Sequence, residues 1–353
     1  ELLEADVMLD GTEYTAAGIR LKGNSSLKGV PTSAKPETLP WLVRLDKFVD
    51  GVNHGGLTEL VVRSNSTTTA LNEAVALDLL AASGLASQQS ASLRFSVNGS
   101  SDVLRLAVEN PADAWVARVF TTTGLLYKAE AGGDYSYRGT NATAYEEIFD
   151  IEAGDADLGP LIDFLDFVNN SSDADFVSGL GSRLDVDAFA RYLAFEELID
   201  NFDDIDGPGN NSYLWWNRGT QAMTVVAWDH NLAFGARPGA GEGQVGMAAR
   251  PGGESGVVPS GRPTGARPEG MPQAGQGTKG SQPNALVSRF TSLADGTSKV
   301  ADAKTVLKAR LFSGNAAEES LRTRSSLIEA EASDLVSADA LASEKQALTK
   351  YFA

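Results

Sequence analysis

The stretch that decides the fold reads Leu198-Ile-Asp-Asn-Phe-Asp-Asp-Ile-Asp-Gly-Pro-Gly-Asn-Asn-Ser-Tyr-Leu-Trp-Trp216, and it is followed by Trp228-Asp-His-Asn-Leu-Ala-Phe-Gly235. Acidic and amide side chains crowd its turn-rich part. Two apolar runs, 213–216 and 223–228, are typical of neighbouring strands. The second run ends on Asp229, where a lone carboxylate is costly unless it is paired or bound to a metal. We therefore expect a hairpin that brings two clusters of oxygen ligands together.

The oxygen-rich side chains of this stretch favour Mg²⁺ or Ca²⁺ over softer metals. Carboxylate and amide oxygens are the ligands of hard cations. The chain has no Cys and only two His, so it lacks the donors that zinc and copper sites use. A solvated acidic loop before a hairpin is the competing interpretation, and it is the commoner one for acid-rich loops. The position of Asp229 favours the metal site.

Length and charge limit the classes of function. A chain of 353 residues can form two domains or one elaborate domain. A net charge of −18 disfavours nucleic acid and anionic membranes as partners. No run approaches the roughly 20 apolar residues of a membrane helix, so we expect no membrane insertion. The absence of Cys excludes disulfides and thiol catalysis.

Turn dipeptides and alternating apolar residues predict a β-rich part over about residues 1–130. Asp10-Gly11 and Asn98-Gly99 each predict a hairpin. Further strands are expected at 41–47, 57–62 and 124–129, and one helix at 67–83.

Residues of about 131–235 predict a more helical part that contains the acidic turn. The polar and aromatic segment 132–152 is expected to be irregular. Helices are predicted at 158–168 and 173–184, and a stronger one at 186–199 with Asp185 as its N-cap. This last helix leads directly into the acidic turn.

The composition changes sharply over residues 236–283, where 13 residues are Gly and 7 are Pro. That bias is typical of a low-complexity segment. We expect an insertion beside the acidic site, either an inert loop or a lid or tether. Residues 284–353 then predict a helical C-terminal part that packs on the core, with helices at 284–294, 300–312, 316–331 and 338–351.

The order of these elements over about residues 11–235 resembles the CotH-type (spore coat protein H) atypical protein kinases. The stretches that carry the resemblance are Gly18-Ile-Arg-Leu-Lys-Gly-Asn-Ser-Ser26, Trp41-Leu-Val-Arg-Leu-Asp-Lys47, Leu71-Asn-Glu-Ala-Val-Ala-Leu-Asp-Leu-Leu80, Val97-Asn-Gly99, Val108-Glu109, Leu126-Tyr-Lys128, Asn201-Phe-Asp203, Asn211-Ser-Tyr-Leu214 and Ala227-Trp-Asp-His-Asn-Leu-Ala-Phe-Gly235. The last two are the specific ones. The resemblance implies an α+β, atypical protein-kinase-like fold with a Gly/Pro-rich insertion and a helical tail.

The resemblance also implies the reaction. A CotH-like kinase would transfer the γ-phosphate of ATP to Ser or Thr of surface, spore-coat or secreted proteins, with ATP and Mg²⁺ (or Mn²⁺ or Ca²⁺) as cofactors. Asp203 would be the catalytic aspartate that orients or deprotonates the acceptor hydroxyl. Asn211 and Asp229 would hold the metal, with Asn231 as a helper.

Phosphate contacts follow from the same resemblance and from kinase logic. Lys128 would contact phosphates with Glu109 as its ion-pair partner, although the sequence alone also allows Lys128 to be an edge residue whose ammonium reaches solvent. Further candidates are Arg20, Lys22, Asn24 and Ser25. The Gly-Asn-Ser-Ser tract could present backbone N–H groups to a phosphate or be a plain turn.

Departures from the family pattern keep other functions open. Lys22 and Asn72 stand where family members commonly have Arg, which allows a degenerate kinase that still binds metal. A non-catalytic surface or adhesion module with a structural Ca²⁺ site is the alternative from another class. A metal-dependent phosphohydrolase is a third. We expect a monomeric bacterial protein at the cell surface or outside the cell, with its export signal outside this chain.

Overall fold

The computed structural model describes residues 1–23, 27, 30–130, 132–207, 210–236 and 284–353, and this part of the chain is α+β. The Gly/Pro-rich insertion predicted at 236–283 lies outside the described residues except for Ala236. Asn24 and Ser25 lie outside them too.

The N-terminal part forms a six-stranded antiparallel sheet, sheet 1, in the order β1-β2-β3-β4-β6-β5. Its strands are β1 Leu3–Leu9, β2 Thr12–Leu21, β3 Trp41–Arg44, β4 Glu59–Val62, β5 Ser90–Phe95 and β6 Val103–Glu109. Both predicted hairpins are confirmed. Leu9 faces Thr12, and the two turn residues Asp10 and Gly11 have φ of 47° and 76°, as a two-residue hairpin turn requires.

A second antiparallel sheet, sheet 2, has the order β10-β9-β7-β8. Its strands are β7 Gly124–Ala129, β8 Phe149–Ala153, β9 Ser212–Asn217 and β10 Met223–Ala227. The prediction that 132–152 is irregular is wrong at its end, because β8 pairs with β7 there. Phe149 and Ala153 on one side of this short edge strand are buried.

The helices are α1 Leu71–Ser83, α2 Asp113–Val119, α3 Gly159–Asn170, α4 Asp173–Gly179, α5 Val186–Leu198, α6 Ala285–Ser292, α7 Ala294–Lys308, α8 Ala316–Glu331 and α9 Ala338–Phe352. Most predicted helices are confirmed within a few residues, but α7 begins six residues before the predicted position 300, α4 ends five residues before position 184, and α2 was missed. Asp185 caps α5 as expected, since its Oδ1 accepts a hydrogen bond of 3.0 Å from the Ala188 N–H. No helix in the described ranges is both long and apolar enough to span a membrane.

One hydrophobic cluster joins sheet 2 to α1, α5 and the C-terminal helices. Helix α1 is buried on nearly all sides and packs against α8, while α5 packs against α7. The turn that follows β10 lies against α1. This packing fixes both the entrance to the acidic turn and the exit of the β9–β10 hairpin.

Candidate active site

Asp203, Asn211 and Asp229 meet at one end of the β9–β10 hairpin. Ser212 pairs with Ala227, so Asn211, just before β9, lies at the same end as Asp229, just after β10. Asp203 is joined to this end because Asn211 Nδ2 donates a 2.8 Å hydrogen bond to its carbonyl oxygen. The residues that the sequence singled out for metal and catalysis are therefore neighbours in the fold.

The Asp229 carboxylate has a cationic partner that the sequence did not reveal. Asp229 has a left-handed backbone (φ 64°), and its carboxylate pairs with the Arg63 guanidinium. Arg63 follows β4 and also binds Glu73 of α1 through two contacts, Nη2 to Oε1 at 2.6 Å and Nε to Oε2 at 3.0 Å. The lone charge at the end of the apolar run is thus paired, as its position requires.

Burial makes this ion triad strongly interdependent. The side chains are 13% exposed for Arg63, 2% for Glu73 and 26% for Asp229. Burial alone lowers the pKa of Arg63, but the two carboxylates more than reverse this, and the guanidinium stays charged. Burial raises the pKa of Glu73. With both carboxylates ionised, the triad carries one surplus negative charge.

The turn after Asp229 is held to α1 through its main chain. The Asn231 carbonyl accepts hydrogen bonds from Ser66 Oγ at 2.5 Å and from Asn72 Nδ2 at 2.7 Å. Asn72 therefore helps to position the turn of residues 229–231, which we call the metal loop because it carries the predicted metal ligand Asp229. The metal-helper role expected for Asn231 stays a prediction about its side chain, because these contacts use only its carbonyl.

The His230 ring lies in a buried polar network. Its Nε2 lies 3.1 Å from Glu196 Oε1 on α5, and Glu196 Oε2 accepts 2.9 Å from Asn201 Nδ2. Burial by itself lowers the pKa of His230. The Glu196 carboxylate raises this pKa by a larger amount, so the net shift is upward. Burial and, after it, the charge of Glu196 raise the pKa of Asp204 to about 7. The Asp204 carbonyl accepts 3.1 Å from the Asn211 N–H, so Asp204 shapes the acidic turn.

Two cations, each of which directly follows a strand of sheet 1, lie near the aromatic residue before Asp229. Lys22 Nζ and the Arg63 guanidinium each lie 5.7 Å from the centre of the Trp228 ring. Lys22 donates to Asn110 Oδ1 at 2.6 Å, and Asn110 Nδ2 donates to Glu59 Oε2 at 3.0 Å. Burial lowers the pKa of Lys22 to about 8. The Lys22 ammonium is therefore hydrogen-bonded to a neutral amide, and this bond does not neutralise its charge.

The expected Lys128–Glu109 ion pair is wrong. Lys128 pairs with Glu130, whereas Glu109 pairs with Arg118 and also accepts 3.1 Å from the Gln89 N–H. The physical reason is topological, since Glu109 ends β6 of sheet 1 and Lys128 belongs to β7 of sheet 2.

Lys128 and Arg20 nevertheless lie on the Lys22 side of the site. Burial is the main cause of the lowered pKa of Lys22, and the charge of Glu152 opposes it. The positive charges of Lys128 and Arg20 lower this pKa further. Arg20 is exposed, and its only side-chain hydrogen bond within the described residues is 3.5 Å to the Leu21 carbonyl.

A buried hydroxyl beside this cluster has no hydrogen-bond partner among the described residues. It belongs to Tyr213, which faces Lys128 across the β7–β9 ladder and packs edge-on against Trp228 at 5.6 Å. Burial, followed by the charges of Glu152 and Glu130, raises its pKa well above the usual value. A buried donor without an acceptor is costly. Its presence fits a site that takes an oxygen-rich ligand.

These residues fit Mg²⁺ that arrives with a nucleotide better than a protein-only metal site. Within the described ranges, no group of three or more His, Asp or Glu is arranged around a metal position. Mg²⁺ is commonly bound by one or two carboxylates together with phosphates and water, whereas Ca²⁺ takes six to eight oxygens. Within the described residues, the contacts with Arg63 and Asp203 leave Asp229 Oδ2 and Asn211 Oδ1 without a hydrogen-bond partner.

Comparison with known families identifies the family of this chain. The family model described as CotH kinase protein matches residues 19–285, which is more than half of the chain. The protein is a member of the CotH kinase family. No curated protein matches the chain. The matched range spans β2 to the first residue of α6 and contains every residue of the candidate site.

Proposed function

We propose that this protein transfers the γ-phosphate of ATP to Ser or Thr hydroxyls of surface, spore-coat or secreted proteins. Family membership supports a kinase. The observation that carries the finer proposal is the meeting of Asp203, Asn211 and Asp229 at one end of the hairpin. Sheet 1 with α1 would form the nucleotide side of a kinase-like fold, and sheet 2 with α5 the metal side.

Each residue has a separate task in this reaction. Mg²⁺, when bound, would supply positive charge against the charge that develops on the phosphates. Asp229 and Asn211 would hold this metal through their side-chain oxygens, and the Lys22 ammonium would bind the phosphates. Asp203 accepts the proton of the acceptor hydroxyl as that oxygen bonds to the γ-phosphorus and the bond from phosphorus to ADP breaks.

The proposal is tested by incubating the purified chain with γ-labelled ATP, Mg²⁺ or Mn²⁺ and a generic Ser/Thr acceptor. We expect label on the acceptor or on the chain itself, and loss of labelling in Asp229→Ala. The matched control is Asp78→Ala, because Asp78 is also an Arg-paired aspartate, bound to Arg324 away from the site. Asp78→Ala should label like the wild type.

The other functions predict different outcomes. Release of free phosphate without labelling of an acceptor identifies a phosphohydrolase. Thermal stabilisation by Ca²⁺ alone, with no effect of nucleotide and Mg²⁺, identifies a non-catalytic module. A wild type that neither binds nucleotide nor transfers phosphate overturns the kinase proposal.

A further inference from the structure

Arg63 lies at the junction between sheet 1, helix α1 and the metal loop. It binds Glu73 of α1 through Nε and Nη2 and Asp229 through Nη2. Its Nη1 has no hydrogen-bond partner among the described residues. A guanidinium has five donors in a planar fork, so Arg63 keeps donor capacity on the Nη1 side.

The two contacts of Arg63 differ in character. The contact with Glu73 is bidentate, and the Glu73 side chain is only 2% exposed, so this contact anchors the guanidinium. The contact with Asp229 uses one carboxylate oxygen of a side chain that is 26% exposed. A partner that arrives from solvent therefore reaches Asp229 more easily than Glu73.

We propose that Arg63 is a phosphate-contact residue of the nucleotide site, anchored by Glu73 and bound to Asp229 until metal and nucleotide arrive. This inference rests on the proposed function. A metal bound at the free oxygen of Asp229 would compete with Arg63 for the charge of that carboxylate, and the guanidinium would then take a phosphate oxygen in exchange. No covalent bond changes, and the surplus negative charge of the triad is offset by the incoming cation.

The neighbourhood of Arg63 supports a phosphate as the second partner. Arg63 and Lys22 lie at the same distance from the Trp228 ring, so two cations surround the residue next to the metal-binding Asp229. Arg and Lys together are the usual protein donors to phosphate oxygens. The Tyr213 ring packs against the same Trp228 ring, and its buried hydroxyl has no hydrogen-bond partner among the described residues.

The exchange predicts effects of opposite sign when Arg63 is removed. Metal alone should bind more tightly at Asp229, because its competitor is gone. Nucleotide in the presence of Mg²⁺ should bind more weakly, because a phosphate donor is gone. A merely structural ion pair would not produce both changes.

The test uses the double variant Arg63→Met/Glu73→Gln, which leaves neither buried charge without a partner. Mn²⁺ binding is measured by electron paramagnetic resonance, and binding of a non-hydrolysable ATP analogue with Mg²⁺ by calorimetry. We expect Mn²⁺ affinity to rise and nucleotide affinity to fall, each by roughly tenfold, the range typical of coupled sites. The control Arg324→Met/Asp78→Asn removes another partly buried bidentate pair and should change neither affinity.

Unchanged Mn²⁺ or nucleotide affinity in a folded double variant overturns the role of Arg63, while binding and transfer by the wild type leave the proposed function standing. A wild type that binds no nucleotide overturns both. If circular dichroism shows that the double variant does not fold, Arg63→Lys decides the question. It keeps the charge but loses the fork, so both affinities should shift in the same directions by a smaller factor. If Arg63→Lys binds both Mn²⁺ and nucleotide with the affinities of the wild type, the inference is overturned.

Discussion

Lys22 is held in its site by a neutral amide and an aromatic ring. Its Nζ donates to Asn110 and lies over Trp228, and burial lowers its pKa to about 8. An ammonium in such surroundings gains an interaction when a polyphosphate binds, because a phosphate favours the charged form. If the proposed nucleotide site is occupied in this way, the proton on Lys22 is linked to nucleotide binding.

This linkage predicts a pH dependence. Nucleotide affinity should be constant below about pH 8 and fall as the pH rises above it, because free Lys22 then loses its proton. Lys22→Met should bind roughly tenfold more weakly and without this decline, and Lys22→Arg should bind well without the decline. Calorimetric titrations over this pH range measure the effect. An identical decline in Lys22→Met would assign it to another group.

The neighbours Asp203 and Asp204 have different expected roles. Asp203→Asn should reduce transfer by about 10²-fold or more, the usual contribution of a positioned base. Asp204→Asn should stay within a few-fold at neutral pH, because a carboxyl whose pKa is raised to about 7 is partly protonated there and Asn resembles its protonated form. Turnover of both variants under identical conditions checks this prediction. The reverse order of losses would transfer the catalytic role to Asp204.

Strand β7 connects the edge strand β8 to the hairpin that carries the candidate site. Its first residue, Gly124, faces Asn217 of β9, and a Cβ at this position would overlap the Trp216 carbonyl and the Trp215 ring. The absence of a side chain therefore permits the close approach of β7 and β9.

Gly124→Ala should accordingly destabilise sheet 2 by about 1–3 kcal/mol, the usual range for overpacking. Nucleotide binding should weaken as well, because a displaced β9 would also move Asn211, the residue directly before this strand. Gly181→Ala is the control, since nothing lies within 4 Å of the added atom and its φ is not positive. Chemical denaturation measures both variants. A Gly124→Ala protein as stable as the control would show that β7 and β9 can separate without cost.

The elements that local pattern could predict are those with strong signals of their own. Helix α5 has an Asp cap and an apolar face, and Asp10-Gly11 permits little besides a tight hairpin. Strand β8 and helix α2 were missed because each is short, and β8 needs β7 as its neighbour to form. The Lys128–Glu109 pair was predicted wrongly because local pattern does not say which sheet a strand joins.

The C-terminal helices are tied to the site through α1. Glu344 of α9 is buried and accepts hydrogen bonds from Thr67 Oγ1 and from the N–H and hydroxyl of Thr69, in the turn that leads into α1. An acidic group near a helix N-terminus is also favoured by the helix dipole. Helix α1 in turn carries Glu73 and Asn72, which hold Arg63 and the metal loop.

Glu344→Gln should therefore lower the free energy of unfolding of the whole molecule by about 1–2 kcal/mol, because charge-assisted hydrogen bonds become neutral ones. Glu329→Gln, which removes an exposed pairing with Lys345, should cost less than about 1 kcal/mol. Urea denaturation compares the two. Equal losses would show that Glu344 contributes no more than a surface charge.

At the scale of the molecule, the sequence pointed to Asp203, Asn211 and Asp229 but not to what surrounds them. The three acceptors lie within one short stretch around a hairpin, so local reasoning could place them together. Arg63 lies 166 residues from Asp229 and meets it only after sheet 1, α1 and sheet 2 have packed. Such a contact has no local signal beyond an Arg that ends an apolar strand.

Calorimetric titration of ATP with and without Mg²⁺ tests most directly whether Asp229 holds the metal of a nucleotide site. Wild type and Asp78→Asn should bind ATP tightly only when Mg²⁺ is present. Asp229→Asn should lose this Mg²⁺ dependence, with affinity reduced by about tenfold or more for the loss of a charged ligand. Unchanged Mg²⁺-dependent binding in Asp229→Asn would contradict the metal site and the kinase mechanism built on it.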